Sequence, residues 1–154
     1  MSFRAYILPG FLVLCLASFA QDGKIDSLLK VADTTHTDTV RLDAWLELGT
    51  YYMEPDPAMG IQYGQRMLEL SKKLNDSFRI AFAYQLMGVC YDYKNDLDSC
   101  LYFLAKADTV HITTNRPDRR AHIFSDVALA YYLRGNYELS LRNHLKSLEL
   151  RRKA

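Results

Sequence analysis

The sequence has little of what a disulfide-stabilised or many-stranded protein needs. Its 154 residues include only three cysteines, four prolines and seven glycines, and several of the prolines and glycines stand at boundaries between apolar stretches. So few turn-forming residues favour helices over a sandwich of many short strands. There is no Cys-x-x-Cys pair and no cysteine–histidine spacing of the kind that binds zinc.

The sequence also lacks an excess of charge of one sign, since 19 basic side chains face 18 acidic ones. A net charge of +1 gives no reason to expect nucleic acid or an anionic membrane as a partner. Phosphate-binding loops, the serine-nucleophile elbow and the H-E-x-x-H zinc motif are missing. With 49% apolar and 24% charged residues, the composition is that of a folded globular protein. We therefore expect neither catalysis nor a cofactor.

Residues 1–20 are typical of a secretory signal peptide. Arg4 precedes an apolar run of about 15 residues, and small residues occupy the two key positions before an expected cleavage after Ala20. The run is shorter than the roughly 20 residues of a spanning helix, and a proline-glycine pair interrupts it. A retained membrane anchor and a lipoprotein modified at Cys15 are the alternatives. We expect an exported protein, periplasmic or secreted, in a Gram-negative bacterium.

Three later segments share one pattern of side-chain sizes. Each has an aromatic, an apolar, a small and a second aromatic residue at positions i, i+3, i+4 and i+7, which lie on one stripe of an α-helix. The small residue lets a facing helix approach the backbone closely. The three sets are Trp45/Leu48/Gly49/Tyr52, Tyr84/Met87/Gly88/Tyr91 and Phe124/Val127/Ala128/Tyr131.

A second helix is predicted after each of these stripes. Gly60, Cys100 and Ser140 lie at equal intervals along the chain, and each is small enough for a helix crossing. Helix-breaking or capping residues separate each stripe from the second helix. The pattern therefore predicts helix pairs after a short helix over residues 23–32. The pairs are expected over residues 39–54 with 57–74, 77–94 with 97–111, and 117–134 with 137–152.

The first of the three sets resembles the tetratricopeptide repeat. Trp45-x2-Leu48-Gly49-x2-Tyr52 matches that family's W-x2-L-G-x2-Y signature letter for letter, and the other two sets depart from it conservatively. The period is about 40 residues, longer than the roughly 34 that are usual in the family. The resemblance implies an all-α solenoid of three helix-turn-helix repeats after a short helix and polar linker. The expected boundaries are 21–38 for that helix and linker, 39–154 for the array, and 39–76, 77–116 and 117–154 for the repeats.

The resemblance also implies a concave groove, lined by the first helix of each repeat, in which members of the family bind peptide segments. Residues at the equivalent positions mix aromatic, apolar and polar side chains, which suits peptide recognition through anchors and hydrogen bonds. We expect a protein or peptide partner and no nucleic acid. Membrane contact is expected only through a retained signal segment or a missing downstream helix. The predicted groove residues are Thr50, Met53, Phe82, Gln85, Val89, Asp92, His122, Ser125, Leu129 and Tyr132.

The order of signal peptide, short helix, polar linker and repeats looks like the exported sensor region of bacterial tetratricopeptide-containing histidine kinases and transcription regulators. It predicts a non-catalytic interaction scaffold that serves as the input part of a signalling protein. A free-standing exported adaptor or assembly factor is the alternative. The final helix carries several leucines with no capping helix after it, so we expect an array that is incomplete at its C-terminus. The alternative is a short three-repeat protein that dimerises or that leaves the apolar face of its last helix uncovered.

Three titratable residues are spaced as a ladder on one helix face. Asp118, His122 and Asp126 fall at i, i+4 and i+8, and a carboxylate–imidazole–carboxylate ladder is able to bind a metal. A solvated face with ordinary i,i+4 pairing is the alternative, and we expect no metal site. His144 stands where the family usually places an aromatic residue, so we expect it to be half-buried.

The two cysteines after the signal peptide flank a predicted turn. An exported chain meets an oxidising compartment, so a disulfide between Cys90 and Cys100 is allowed. Two small apolar side chains that pack against neighbouring helices are the alternative.

Overall fold

A computed structural model describes residues 23–35 and 37–154. The predicted signal peptide over residues 1–20, with its cleavage site after Ala20 and the anchor and lipoprotein alternatives, lies outside the described residues. None of the described helices is both long enough and apolar enough to cross a membrane.

All the regular structure in the described part of the chain is helical. Seven α-helices follow one another without a strand, and each packs against the helix before and after it. The predicted fold class, an all-α solenoid of paired helices, is confirmed. α1 covers residues 23–34, and the others are α2 (Asp38–Tyr52), α3 (Pro57–Lys73), α4 (Ser77–Tyr93), α5 (Leu97–Thr113), α6 (Pro117–Leu133) and α7 (Tyr137–Lys153).

The links from α3 onward are copies of one turn. Each of the last five helices has 17 residues, and a link of constant length joins each of them to the next, so the turn recurs at a fixed interval. One residue in each link has a positive φ, between 52° and 75°, a conformation that asparagine and glycine adopt most easily. The residues concerned are Asn75, Asn95, Asn115 and Gly135.

The residue after each positive-φ position closes one helix through its backbone N–H, and all of these residues except Arg116 also cap the next helix with the side chain. The Asp76 N–H donates to the Ser71 carbonyl, which completes a Schellman-type end of α3. The Asp76 side chain accepts a hydrogen bond from the Arg79 N–H at 3.0 Å, which caps α4. Asp96 and Asn136 cap α5 and α7 in the same way. From α3 onward, each helix is therefore joined to the next by a copy of a single link.

Small residues lie where the helices cross. A Cβ built on Gly49 of α2 would lie 3.3 Å from Tyr63 Cβ of α3, and one on Gly60 of α3 would approach Cys90 Sγ of α4 to 2.7 Å. Ala128 and Ser140, at the corresponding positions of α6 and α7, are both buried. These contacts allow consecutive helices to pack at backbone distance.

Two of the three apolar members of the stripes are more deeply buried than the aromatic ones. Leu48 and Met87 are almost fully buried, and Val127 is half-buried beside Ile123. The aromatic members are all half-buried. Several of their rings lie against other side chains, as where Tyr91 stacks on Phe103 with centroids 5.3 Å apart. The aromatic members are Trp45, Tyr52, Tyr84, Tyr91, Phe124 and Tyr131.

Cys90 and Cys100 are free thiols that face different interfaces. Cys90 packs with Ile61 between α4 and α3, whereas Cys100 belongs to the cluster of Ile123 between α5 and α6. Burial raises the pKa of each thiol to about 12. The two side chains therefore act as small apolar packing groups rather than as a disulfide.

The expectation for His144 is wrong, because its side chain is exposed. His144 lies on the face of α7 that a further helix would cover. Within the described residues no helix lies there, so the side chain faces solvent.

Candidate functional site

The first helices of the three pairs form a common face with one well-defined pocket. α4 touches both α2 and α6, and a pocket of about 380 Å³ opens where the three meet. We call it the groove pocket. Its lining residues are Leu46, Thr50, Met53, Phe82, Gln85, Leu86, Val89 and Asp126.

Five of the predicted groove residues are brought together here. Thr50 and Met53 come from α2 and its end, and Phe82, Gln85 and Val89 come from α4. They are neighbours because these positions face away from the helix crossings. The groove pocket is mainly apolar, with a hydroxyl, an amide and a carboxylate on its wall.

The polar end of the groove pocket is a contact between α4 and α6. Gln85 Nε2 donates a hydrogen bond of 2.6 Å to Asp126 Oδ2. Burial raises the pKa of Asp126, the charge of Asp92 adds to that effect, and the Gln85 hydrogen bond and His122 oppose it. A carboxylate therefore lines the pocket at a cost in folding free energy, a pattern more common at functional sites than elsewhere.

An aromatic and cationic edge adjoins the groove pocket. Phe78 and Phe82 lie one turn apart on α4, with ring centroids separated by 4.7 Å. The guanidinium of Arg119 lies over both rings, 5.2 Å from the centroid of Phe82 and 5.4 Å from that of Phe78. Such stacking holds Phe82 in place and presents positive charge beside an apolar surface.

The remaining predicted groove residues lie apart from the pocket lining. Asp92 forms an ion pair of 2.5 Å with Arg134, which joins the ends of α4 and α6. Ser125 forms a hydrogen bond of 2.9 Å with Ser147 and therefore faces α7. His122, Leu129 and Tyr132 are exposed on α6.

Sequence reasoning missed three of the lining residues. Leu46 lies one repeat before Gln85, so the repeat period applied to Gln85 would have found it. Leu86 neighbours a predicted groove position on the same helix. The pattern of α6 offers Asp126 as a metal ligand or as part of a solvated face, and its contact with Gln85 depends on how two repeats stack, which no single-helix pattern reveals.

The side chains of Asp118, His122 and Asp126 on α6 do not converge on a common point. Arg116 binds Asp118 through two hydrogen bonds of 2.8 and 3.0 Å, and this contact lowers the pKa of Asp118 to about 2. Asp126 is held by Gln85, and His122 is exposed between the two. Across residues 23–35 and 37–154, no three histidine, cysteine or acidic side chains are grouped so that they could hold a metal ion.

Comparison of the chain with models of known protein families finds no match, and a search of curated proteins finds none either. The likeness to tetratricopeptide repeats therefore depends on the residues of the three stripes and on the helix pairs that they form.

Proposed function

We propose that this protein is a non-catalytic scaffold of the tetratricopeptide type that binds a segment of a protein or peptide partner on the face formed by α2, α4 and α6. The observation that supports this most strongly is the groove pocket, where three helices from three pairs converge. Its volume of about 380 Å³ lies within the range of roughly 300–1,000 Å³ that is usual for binding sites.

The lining of the groove pocket favours a particular kind of segment. Leu86, Val89 and Phe82 offer an apolar surface, so the partner would place an apolar side chain there. Asp126 accepts one hydrogen bond from Gln85 through Oδ2, which leaves Oδ1 as an acceptor for the partner. An apolar residue next to a lysine, an arginine or a free backbone N–H would satisfy both parts of the pocket.

We also propose that the scaffold acts outside the cytoplasm as the input part of a signalling protein. Two features of the sequence support this: the signal-peptide pattern of residues 1–20 and the order of short helix, linker and repeats. A fusion of residues 1–20 to a reporter enzyme that is active only after export tests whether these residues direct export. An inactive fusion would remove that part of the proposal.

Selection of binders from a library of random peptides tests the binding proposal. We expect enriched peptides to share one large apolar residue beside a basic residue. Their affinity for Val89→Lys and Phe82→Ala should fall at least about tenfold, because each change removes part of the apolar lining. Tyr102→Ala on α5 is the matched control, since Tyr102 is an exposed aromatic residue outside the pocket. Equal affinity of the peptides for all four proteins would contradict the proposal.

A further inference from the structure

Six arginines lie on the first helices of the three pairs or at the ends of those helices, and one of them lacks a carboxylate partner. The exception is Arg119, in the first turn of α6, whose guanidinium makes no hydrogen bond to any residue in the described part of the chain. Each of the other five donates a hydrogen bond to an aspartate: Arg41 to Asp38, Arg79 to Asp76, Arg116 to Asp118, Arg120 to Asp108 and Arg134 to Asp92.

Comparison of two repeats shows why Arg119 is the exception. Arg119 holds the position in α6 that Arg79 holds one repeat earlier in α4. The guanidinium of Arg79 donates to Asp43 of α2 at 2.7 Å and to the N-cap residue Asp76 at 2.9 Å. The residues that stand one repeat after these two aspartates are Phe82 and Arg116. Arg119 therefore keeps the place of a paired arginine, but both carboxylates of that place have been replaced.

The carboxylate of Asp118 lies near Arg119 but does not take over their role. Arg119 Nε is 3.5 Å from Asp118 Oδ2 and forms no hydrogen bond with it. Arg116 already donates to both oxygens of this carboxylate, at 3.0 and 2.8 Å. The Nε atom of Arg119 is buried, whereas the side chain as a whole is 34% exposed. The outer edge of the guanidinium is therefore open to a ligand.

Two aromatic rings hold this guanidinium in place. Its Cζ atom lies 5.2 Å from the ring centroid of Phe82 and 5.4 Å from that of Phe78. Stacking on rings leaves the N–H groups in the guanidinium plane free to donate hydrogen bonds. An arginine fixed in this way loses little side-chain entropy on binding, and its planar fork matches the two oxygens of a carboxylate.

The groove pocket begins beside this guanidinium. Phe82 belongs to both, because it lines the pocket and lies under Arg119. Asp126, the carboxylate on the pocket wall, stands seven positions after Arg119 on α6, which corresponds to about 10 Å along the helix. A partner segment in extended conformation advances about 3.3 Å per residue, so about three residues span the same distance. The face thus presents a positive and a negative group with the apolar lining of the pocket beside both.

We propose that Arg119 binds the carboxylate of an aspartate or glutamate side chain in the partner segment. This inference rests on the proposed binding at the groove pocket and adds a second charge to the partner. The segment then has a basic residue at Asp126, an apolar residue in the pocket and, beyond the apolar residue, an acidic residue about three positions from the basic one. The acidic residue supplies to Arg119 what Asp43 supplies to Arg79. Since the two charges on the face differ in sign, they fix the direction in which the segment lies.

Selection from a library of random peptides on three proteins tests this preference. The native chain should enrich peptides with an acidic residue at the stated position. Arg119→Glu should enrich a basic residue at that position and keep the preference for an apolar residue in the pocket. Arg142→Glu is the matched control with the same change of charge, because Arg142 is exposed on α7 and lies outside the groove pocket. It should select the same peptides as the native chain.

Affinity measurements with one synthetic peptide isolate the contact. The probe is the most enriched peptide, N-acetylated and C-terminally amidated, so that its carboxylate comes from a side chain. Replacement of its acidic residue by the matching amide, or Arg119→Met in the protein, should weaken binding about tenfold, and the two changes together should weaken it no further. Methionine keeps an apolar side chain over Phe78 and Phe82, and circular dichroism checks that the helices remain folded.

The results separate this inference from the proposed function. Peptides that share the apolar and basic residues but no acidic one would overturn the role of Arg119 and leave the proposed function standing. An acidic preference that persists in Arg119→Glu would do the same. If no peptide is enriched, or if Val89→Lys binds the probe as tightly as the native chain does, the groove pocket is not the binding site and both proposals fail.

Discussion

Gly88, at the crossing of α4 and α5, offers a quantitative test of the packing. A Cβ on this residue would lie 2.9 Å from Leu104 Cγ and 3.2 Å from the Cys100 carbonyl oxygen. The first atom is the branch point of a fully buried side chain and the second is backbone. Neither can move without a shift of one helix against the other, so a methyl group here should separate α4 from α5.

The effect of Gly88→Ala is the difference between two opposed contributions. Alanine is favoured over glycine in a helix interior by about 1 kcal/mol. Overpacking a close contact costs about 1–3 kcal/mol, and a contact with backbone falls in the middle of that range or above it. We therefore expect a net loss of about 1 kcal/mol, which lowers the melting temperature by about 2–4 °C in a chain of this size. Gly88→Leu should be worse, with a loss of about 3 kcal/mol or more.

Gly49→Ala is the matched control for this test. Its Cβ would lie 2.5 Å from Leu86 Cδ2, the end of a flexible side chain that can rotate away, and 3.3 Å from Tyr63 Cβ, where a shift of a few tenths of an ångström suffices. The gain in helix propensity should then nearly cancel the packing cost, and stability should change by less than about 0.5 kcal/mol. Urea unfolding followed by circular dichroism measures both variants. The reasoning fails if Gly88→Ala is as stable as the native protein, or if Gly49→Ala is the more damaging change.

Three further changes test the cap, the link and the groove pocket. Asp76→Ala should lose about 1 kcal/mol of unfolding free energy, because it removes the cap of α4, and Asp76→Asn should restore most of it. Asn95→Val should lose about 1–2 kcal/mol, since a branched side chain resists the φ of 59° at this position, whereas Asn95→Gly should be neutral. Burial raises the pKa of Asp126, so its ionisation destabilises the fold as pH rises. Asp126→Asn should therefore become more stable relative to the native protein between about pH 3 and about pH 7, and a constant difference in urea unfolding would contradict this.

The helices could be predicted because the periodicity and the caps that specify each of them lie within its own stretch of sequence. The stripe of Trp45, Leu48 and Gly49 follows from helix geometry alone, and the capping role of Asp56 follows from its place before Pro57. What escaped prediction was that, from α3 onward, the links within repeats and between repeats are the same turn. Asn75 and Asn95 stand half a repeat apart in the same conformation, but a search guided by the whole repeat treats them as different features.

The groove could be predicted only in part, because it is made by the stacking of repeats. Of the α4 positions predicted for the groove, Phe82, Gln85 and Val89 line the groove pocket beside α2, whereas Asp92 pairs with Arg134. Positions on α6 have the first helix of another pair on one side only in the described structure. Ser125 therefore turns toward Ser147, and Leu129 remains exposed. A half-buried carboxylate such as Asp126 cannot be recognised from periodicity, since its hydrogen-bond partner Gln85 belongs to another repeat.

The recurring link, which stacks each helix on the one before it, affects how the chain folds and how it unfolds locally. Every large interface joins helices that are adjacent in sequence, so contact order is low and rapid folding can start at several places along the chain. Opening can likewise proceed one helix at a time from an end, without disturbing distant helices. α7 has the fewest buried side chains of the six helices from α2 to α7, so its amide protons should exchange with solvent before those of α3 to α5. Cooperativity in this fold is therefore a property of neighbours rather than of the whole chain.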